Sequence, residues 1–209
     1  MVPDKAAPGI EEQVDMGVGV LKSGGLVAFP TDTVYGLGAC YNDYRAVERI
    51  FNIKKRPRSK ALPLLLAEVS QIAEVAEYVP LNTWILAKYF MPGALTLVLP
   101  KAAKVPNIVT ADSKTVAVRV SPHPVPVSLI RGVGVPIIGT SVNESGQPSA
   151  ITADEVRLQL RDKIDLVING GRCPGGIEST IVDVTGKIPR VLREGAISRK
   201  ELAAVCRII

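Results

Sequence analysis

The chain has 209 residues, of which 47% are hydrophobic and 22% are charged, a balance that is typical of one globular domain and excludes a disordered chain. The net charge of +5 favours anionic partners such as nucleotides, carboxylates or RNA. The three cysteines include no C-x-x-C pair, so no zinc site is predicted. The sequence shows neither a recognisable signal peptide nor an apolar run near the ~20 residues of a membrane helix. We therefore expect a cytoplasmic protein.

Hydrophobic periodicity predicts helices and strands that interleave along the chain. Residues 1–8 are expected to form a flexible N-terminal arm, and residues 9–209 a single domain. Helices are predicted over residues 10–21, 43–53, 70–78, 81–91, 124–131, 153–162 and 198–205. Strands are predicted over residues 26–29, 62–66, 94–99, 115–120, 135–138, 166–168, 180–184 and 190–192. This order favours an α/β fold around a twisted, open, mixed β-sheet flanked by helices.

A polar segment directly follows the first predicted strand, at the kind of position where open α/β sheets bind ligands. Residues 30–38 read PTDTVYGLG, and the hydroxyl groups of Thr31 and Thr33 could contact a small polar ligand. A turn capped by the Asp32 side chain explains the same pattern. Both interpretations stay open.

Five cations occur among the seven residues 54–60, which read KKRPRSK at the end of a predicted helix. One explanation is a solvated face that complements the helix dipole. The proline within the run favours a loop, however, and arginine and lysine side chains on a loop can surround a phosphate.

An arginine interrupts the predicted strand at residues 115–120, which read TVAVRV. Because side chains alternate along a strand, Thr115, Ala117 and Arg119 share one face. A largely buried arginine needs an anionic partner. A bound carboxylate and an internal salt bridge are both compatible with the sequence.

Further loops are rich in hydrogen-bond donors. Residues 139–149 read GTSVNESGQPS and suit phosphate or ribose, and residues 170–180 and 192–195 are weaker signals of the same kind. Neither a P-loop nor a G-x-G-x-x-G motif is present. The only histidine, His123, lies between two prolines and is interpreted as a turn residue rather than as a general base.

Taken in order, these segments resemble the YrdC family of threonylcarbamoyl-AMP synthases over residues 24–195. The K-x-R signature of that family corresponds to residues 54–56, and its S-x-N signature to residues 141–143. Residues 29–37, 92–99, 141–149 and 178–183 are further close matches.

The resemblance implies a nucleotidyltransferase that joins L-threonine, bicarbonate or CO2, and ATP into threonylcarbamoyl-AMP and pyrophosphate. A downstream transferase complex would then modify tRNA. The resemblance assigns threonine binding to Thr33, Leu65, Arg119, Gly139 and Ser179. It assigns ATP binding to Arg56, Lys60, Thr115, Ser141, Asn143, Ser149 and Arg193. Lys54 and Arg56 are the expected catalytic residues.

The chemistry of this reaction agrees with the residue types. Threonine can form a carbamate without an enzymic nucleophile, so the protein mainly has to hold anionic reactants in line within one concave basic cavity. Mg²⁺ is expected to accompany ATP and to be held mainly by phosphates and water, since no dense carboxylate cluster is present. Longer members of the family carry a linker and a second domain, so a more open site is expected here.

Two alternatives remain. A non-catalytic module could bind tRNA or double-stranded RNA through a basic face, although aromatic residues make up only 4% of the chain and offer few platforms for base stacking. A carbamoyl-adenylate module like that of hydrogenase maturation proteins is the other alternative, but those proteins are large and carry cysteine-rich metal motifs.

Overall fold

The computed structural model describes residues 8–144, 146–174 and 176–209. The predicted N-terminal arm therefore lies outside the described residues, apart from Pro8. The helices are α1 (Ile10–Lys22), α2 (Tyr44–Lys54), α3 (Ile72–Val75), α4 (Leu81–Phe90), α5 (Asn107–Thr110), α6 (Pro124–Val133), α7 (Ala153–Leu160) and α8 (Arg199–Ala203). The strands are β1 (Val27–Phe29), β2 (Gly36–Gly38), β3 (Leu64–Leu66), β4 (Leu95–Pro100), β5 (Thr115–Val120), β6 (Ile137–Ile138), β7 (Thr140–Ser141), β8 (Leu166–Val167), β9 (Thr180–Asp183) and β10 (Arg190–Arg193).

The strands divide between two sheets, which corrects the expectation of one. The smaller sheet has the order β7-β2-β1-β8 and the larger has the order β10-β9-β4-β5-β3-β6. Both are mixed, because β1–β8, β3–β5 and β4–β9 are parallel pairs and the other pairs are antiparallel. The α/β class and the mixed, open character of the sheets are confirmed.

The chain passes from the larger to the smaller sheet at Gly139. Ile138 ends β6, which pairs with β3, while Thr140 begins β7, which pairs with β2. A side chain at position 139 would overlap the side chain of Leu65, and the Gly139 amide donates to the Pro63 carbonyl at 3.0 Å. Glycine is therefore favoured at this crossing because the Leu65 side chain packs directly against it.

Local capping explains where several helices begin. The Asp43 carboxylate accepts from the Ala46 amide at 3.0 Å and starts α2, as the sequence predicts. Ser198 starts α8 in a capping box. His123 is the N-cap of α6, and its Nδ1 atom accepts from the Val125 amide at 3.2 Å. The interpretation of His123 as a turn residue is thereby confirmed.

Other predictions are corrected. The helix predicted over residues 70–78 is only a 3₁₀ turn (Val69–Gln71) followed by the short α3. Strand β3 begins at Leu64 rather than Leu62, since Pro63 has no amide hydrogen to donate to a neighbouring strand. The sequence predicts neither β2, β7 nor α5. No described helix is long and apolar enough to cross a membrane.

The apolar core lies in two clusters. The larger one packs α2 and α4 against the six-stranded sheet and includes Phe51, Leu64 and Leu97. The smaller one lies beneath α1 and α6 and includes Phe29 and Leu129. Polar side chains from both sheets gather around one cavity.

Candidate active site

A cavity of about 290 Å³ lies where the two sheets face each other, with walls from β2 and β7 on one side and from β3, β4, β5, β9 and β10 on the other. Eleven of the thirteen site residues expected from the sequence line it: Thr33, Lys54, Arg56, Lys60, Leu65, Arg119, Gly139, Ser141, Asn143, Ser179 and Arg193. Segments that are far apart in the sequence thus converge on one place.

Two expected site residues do not line the cavity. Thr115 stands at the start of β5, where its hydroxyl pairs with that of Ser113 at 2.8 Å, and Ala117 on the same strand face reaches the cavity instead. Ser149 donates its hydroxyl to Glu178 Oε1 at 3.0 Å, and Glu178 is a lining residue. Ser149 is therefore one contact away from the cavity.

Arg119 forms an internal salt bridge, one of the two partners that the sequence allows for it, and it also lines the cavity. Its residue is 8% exposed, and Nη2 contacts Asp32 Oδ2 at 2.7 Å. Nε donates to the Gly93 carbonyl and Nη1 to Thr33 Oγ1, each at 3.0 Å. Burial lowers the pKa of Arg119 while Asp32 opposes that shift, so the guanidinium stays charged. Since a guanidinium has five N–H donors, two remain for a ligand such as a carboxylate.

Hydrogen-bond directions fix what Thr33 can offer to a ligand. Thr31 Oγ1 donates its only hydrogen to the Val34 carbonyl at 2.6 Å. In the 3.1 Å contact between the two hydroxyls, Thr33 must therefore be the donor. Thr33 Oγ1 also accepts from Arg119, so what it retains for a ligand is a lone pair. Thr33 suits a ligand N–H or O–H.

Lys54 connects the two signature motifs of the sequence. It continues the buried face of α2 one turn after Ile50, so its side chain points inward, and the residue is 1% exposed. Its Nζ atom donates to the Ser141 carbonyl, and to the carbonyl and Oδ1 of Asn143 at 2.8 Å each. These contacts engage all three ammonium hydrogens. Burial, together with nearby Arg56, lowers the pKa of Lys54 to about 8.

The rest of the basic run divides between cavity and surface. Arg56 turns back on its own loop, donating to the carbonyls of Lys60 at 3.0 Å and Ala61 at 2.7 Å. Lys55 and Arg58 instead form exposed ion pairs with acidic residues of neighbouring segments. The two interpretations of this run therefore apply to different residues.

Strands β4, β9 and β10 supply the last wall. Arg193 Nη1 pairs with Glu178 Oε2, and Nη2 donates to the Ser179 carbonyl at 2.8 Å. The hydroxyls of Thr96 and Ser179 share a hydrogen bond at 2.8 Å. Sequence reasoning missed Thr96 and Glu178 as site residues. For Thr96, the available signal was a hydroxyl within an otherwise apolar strand.

The described lining carries five cations and one acidic residue, Glu178. Such a surplus of positive charge in a partly enclosed cavity attracts anions. Within the described ranges, no group of three or more histidine, cysteine, aspartate or glutamate side chains could hold a metal ion. The arrangement is suited to gathering carboxylates and phosphates.

Known proteins are similar to this chain in both sequence and fold. The family model Sua5/YciO/YrdC, described as telomere recombination, matches residues 19–195. The chain is 42% identical over 197 residues to the threonylcarbamoyl-AMP synthase of Pyrococcus abyssi, covering 94% of this chain and 58% of that protein. It is 39% identical over 196 residues to the Bacillus subtilis threonylcarbamoyl-AMP synthase, covering 93% and 57%.

The crystal structure of P. abyssi Sua5 complexed with L-threonine matches with a TM-score of 0.90 at 39% identity. That match covers 98% of this chain and 61% of the other. The chain thus spans less than two thirds of the length of these relatives. Since the family model extends across most of the chain and the matched segments form one cavity, the chain belongs to the Sua5/YciO/YrdC family.

Proposed function

We propose that this chain is an L-threonylcarbamoyladenylate synthase, which forms threonylcarbamoyl-AMP and pyrophosphate from L-threonine, bicarbonate or CO2, and ATP. The observation that carries the proposal is Arg119, a buried arginine with two unengaged donors beside Thr33 in a cavity lined by four further cations. The threonine-bound relative and the names of the curated relatives support it.

In this proposal the threonine carboxylate binds the guanidinium fork of Arg119. The lone pair of Thr33 accepts a hydrogen bond from the amine or the hydroxyl of threonine. Ser179, which Thr96 holds in place, and the closely packed pair of Leu65 and Gly139 complete the subsite. These groups hold the amine so that it can add to CO2 and lose a proton, which yields a carbamate.

The remaining cations bind ATP. The carbamate oxygen attacks the α-phosphorus, the bond to the bridging oxygen of the β-phosphate breaks, and pyrophosphate leaves. Arg56, Lys60 and Arg193 stabilise negative charge on the phosphates, and the 141–143 segment contributes further polar contacts. Thr115 and Ser149 belong to this subsite only if they shift toward the cavity. Lys54 acts by positioning, because its three donors hold the 141–143 segment.

The residues present do not fit a protein-held Mg²⁺. The one acidic residue of the described lining, Glu178, is already engaged by Arg193 and Ser149. Any Mg²⁺ would therefore arrive as part of the metal–nucleotide substrate, with phosphates and water as its ligands.

The test is release of pyrophosphate from ATP and bicarbonate with and without threonine. Release should depend on threonine in the unmodified protein and fall at least tenfold in Arg119→Ala, because a charge-assisted contact contributes roughly 1.5–3 kcal/mol. Arg131→Ala serves as the control, since Arg131 is exposed in α6 and does not line the cavity. Pyrophosphate release without threonine dependence would defeat the proposal.

The proposed setting is the cytoplasm, with a tRNA threonylcarbamoyl transferase complex that uses the product. Direct RNA binding would appear as tRNA affinity that decreases steeply with salt. The described cavity lining has one aromatic residue, Tyr35, which is 0% exposed and donates its hydroxyl to the Gly171 carbonyl at 2.8 Å. It offers no face for base stacking, so the synthase is preferred.

A further inference from the structure

Glu178 is the single acidic residue in the described lining of a cavity that is otherwise rich in cations. Its carboxylate bonds two residues from the ATP-binding set of the proposed function: Oε2 pairs with Arg193 Nη1, and Oε1 accepts from Ser149 Oγ at 3.0 Å. A carboxylate with two such partners occupies the place in the hydrogen-bond network that a phosphate would take.

These contacts compete with a phosphate. A serine hydroxyl has one hydrogen, so Ser149 cannot donate to Glu178 and to a phosphate at the same time. One N–H of Arg193, on Nη1, is likewise engaged by Glu178. A phosphate approaching these groups also meets the negative charge of the carboxylate. Donation to a phosphate by Ser149 and by this Nη1 hydrogen therefore requires Glu178 to move aside.

The surrounding structure allows this movement. The side chains of Glu178 and Arg193 are 36% and 42% exposed, and ion pairs at this level of exposure are weak enough to exchange. The Glu178 backbone is fixed, because its carbonyl accepts from the Ala196 amide at 3.0 Å and Gly195 packs closely against it. Arg193 keeps its second bond, to the Ser179 carbonyl. Exchange thus needs only a rotation of the Glu178 side chain.

Glu178 also influences the neighbouring cations. Burial lowers the pKa of Arg56, and the Glu178 charge opposes that shift. Burial and Arg56 lower the pKa of Lys54, which Glu178 again opposes. The carboxylate therefore offsets repulsion among the positively charged groups that line the cavity.

We propose that Glu178 is an internal competitor of the nucleotide phosphates, which holds Arg193 and Ser149 in place, is displaced when ATP binds, and returns to help expel pyrophosphate. This inference rests on the proposed ATP site. In this inference, the Glu178 carboxylate limits the affinity of that site for polyphosphate.

The test is titration of inorganic pyrophosphate, and separately of a non-hydrolysable ATP analogue, by calorimetry in EDTA. Glu178→Gln keeps the shape of the side chain and removes its charge, so pyrophosphate should bind about 3- to 10-fold more tightly at low salt, with a smaller gain at high salt. Glu178→Ala should change affinity in the same direction, which guards against an effect of the new amide. Circular dichroism checks that both variants fold.

Glu144→Gln is the matched control. Glu144 has the same 36% side-chain exposure and pairs with Lys55, but it does not line the cavity. This variant should bind pyrophosphate as the unmodified protein does. Unchanged or weaker binding in both Glu178 variants would overturn the inference while leaving the synthase proposal intact. If neither pyrophosphate nor the analogue binds the unmodified protein, in EDTA or with Mg²⁺ present, both proposals fail.

Discussion

Replacing Lys54 with methionine tests whether Lys54 stabilises the 141–143 segment or acts directly on a substrate. Methionine keeps an unbranched apolar chain of similar length, but it removes three hydrogen bonds to Ser141 and Asn143. Each buried acceptor left without a partner costs about 1–3 kcal/mol of stability. Removing the ammonium group also removes the free-energy cost of burying its charge, which partly compensates. We therefore expect Lys54→Met to lower the free energy of unfolding by about 2–4 kcal/mol.

The same change should also weaken nucleotide binding. The hydroxyl of Ser141 and the carboxamide of Asn143 take their positions from a network centred on Lys54, in which Ser141 Oγ donates to Asn143 Oδ1 at 2.8 Å. Without that network, an ATP analogue should bind at least several-fold more weakly. Lys55→Met is the control, because Lys55 is adjacent, 71% exposed at its side chain and paired only at the surface. It should change stability by less than about 1 kcal/mol.

The pH dependence gives an independent check. The folded-state pKa of Lys54 is lowered from 10.5 to about 8, so between these pH values the unfolded chain binds more protons than the folded one. The stability contributed by this site must then rise with pH in that window, by at most about 1.4 kcal/mol per pH unit, and stay flat below it. Urea denaturation at pH 7–10 should show the advantage of the unmodified protein over Lys54→Met growing with pH. An equal or shrinking advantage, or unchanged stability in the variant, would refute the reasoning.

Three other substitutions, the last with a matched control, test separate features. Arg119→Lys keeps the charge but loses the bidentate fork, so the KM for threonine should rise about tenfold and that for ATP less than twofold in initial-rate assays; equal increases would indicate a structural role. Thr83→Val should raise the free energy of unfolding by about 1 kcal/mol, because Thr83 Oγ1 is the buried side-chain polar atom without a partner in the described part of the chain; a loss of stability in urea would contradict this. Gly139→Ala should cost about 1–3 kcal/mol since its methyl group overlaps Leu65, whereas Gly19→Ala, on an exposed helical turn with open space, should be neutral or stabilising.

Elements with a strong local signal were predictable from the sequence. The helix after Asp43 and the strand carrying Arg119 lie where the periodicity and capping residues place them. Strands β2 and β7 were not predictable, because strands of three and two residues are too short to show an alternating pattern. The division into two sheets was missed because it depends on which strands pair across long sequence distances, as β7 pairs with β2 and β8 with β1.

The candidate site was predictable as a set of residues but not as a network. The segments around Thr33, Arg119 and Ser141 stand out as polar interruptions, and the resemblance brings them together. Their partners do not stand out, because the sequence suggests Asp32 only as a turn-capping residue and does not link it to Arg119. Only the folded chain shows that Asp32 contacts both Arg119 and the hydroxyl of Ser121, at 2.7 and 2.6 Å.

The cavity between the two sheets has a mechanical consequence. A reactant that contacts both walls links the two sheets. Its binding energy therefore opposes separation of the sheets as well as local unfolding of a loop. Occupancy should then slow amide hydrogen exchange in strand β8, which is at the outer edge of the smaller sheet and does not line the cavity. A bound reactant would thereby stiffen both sheets.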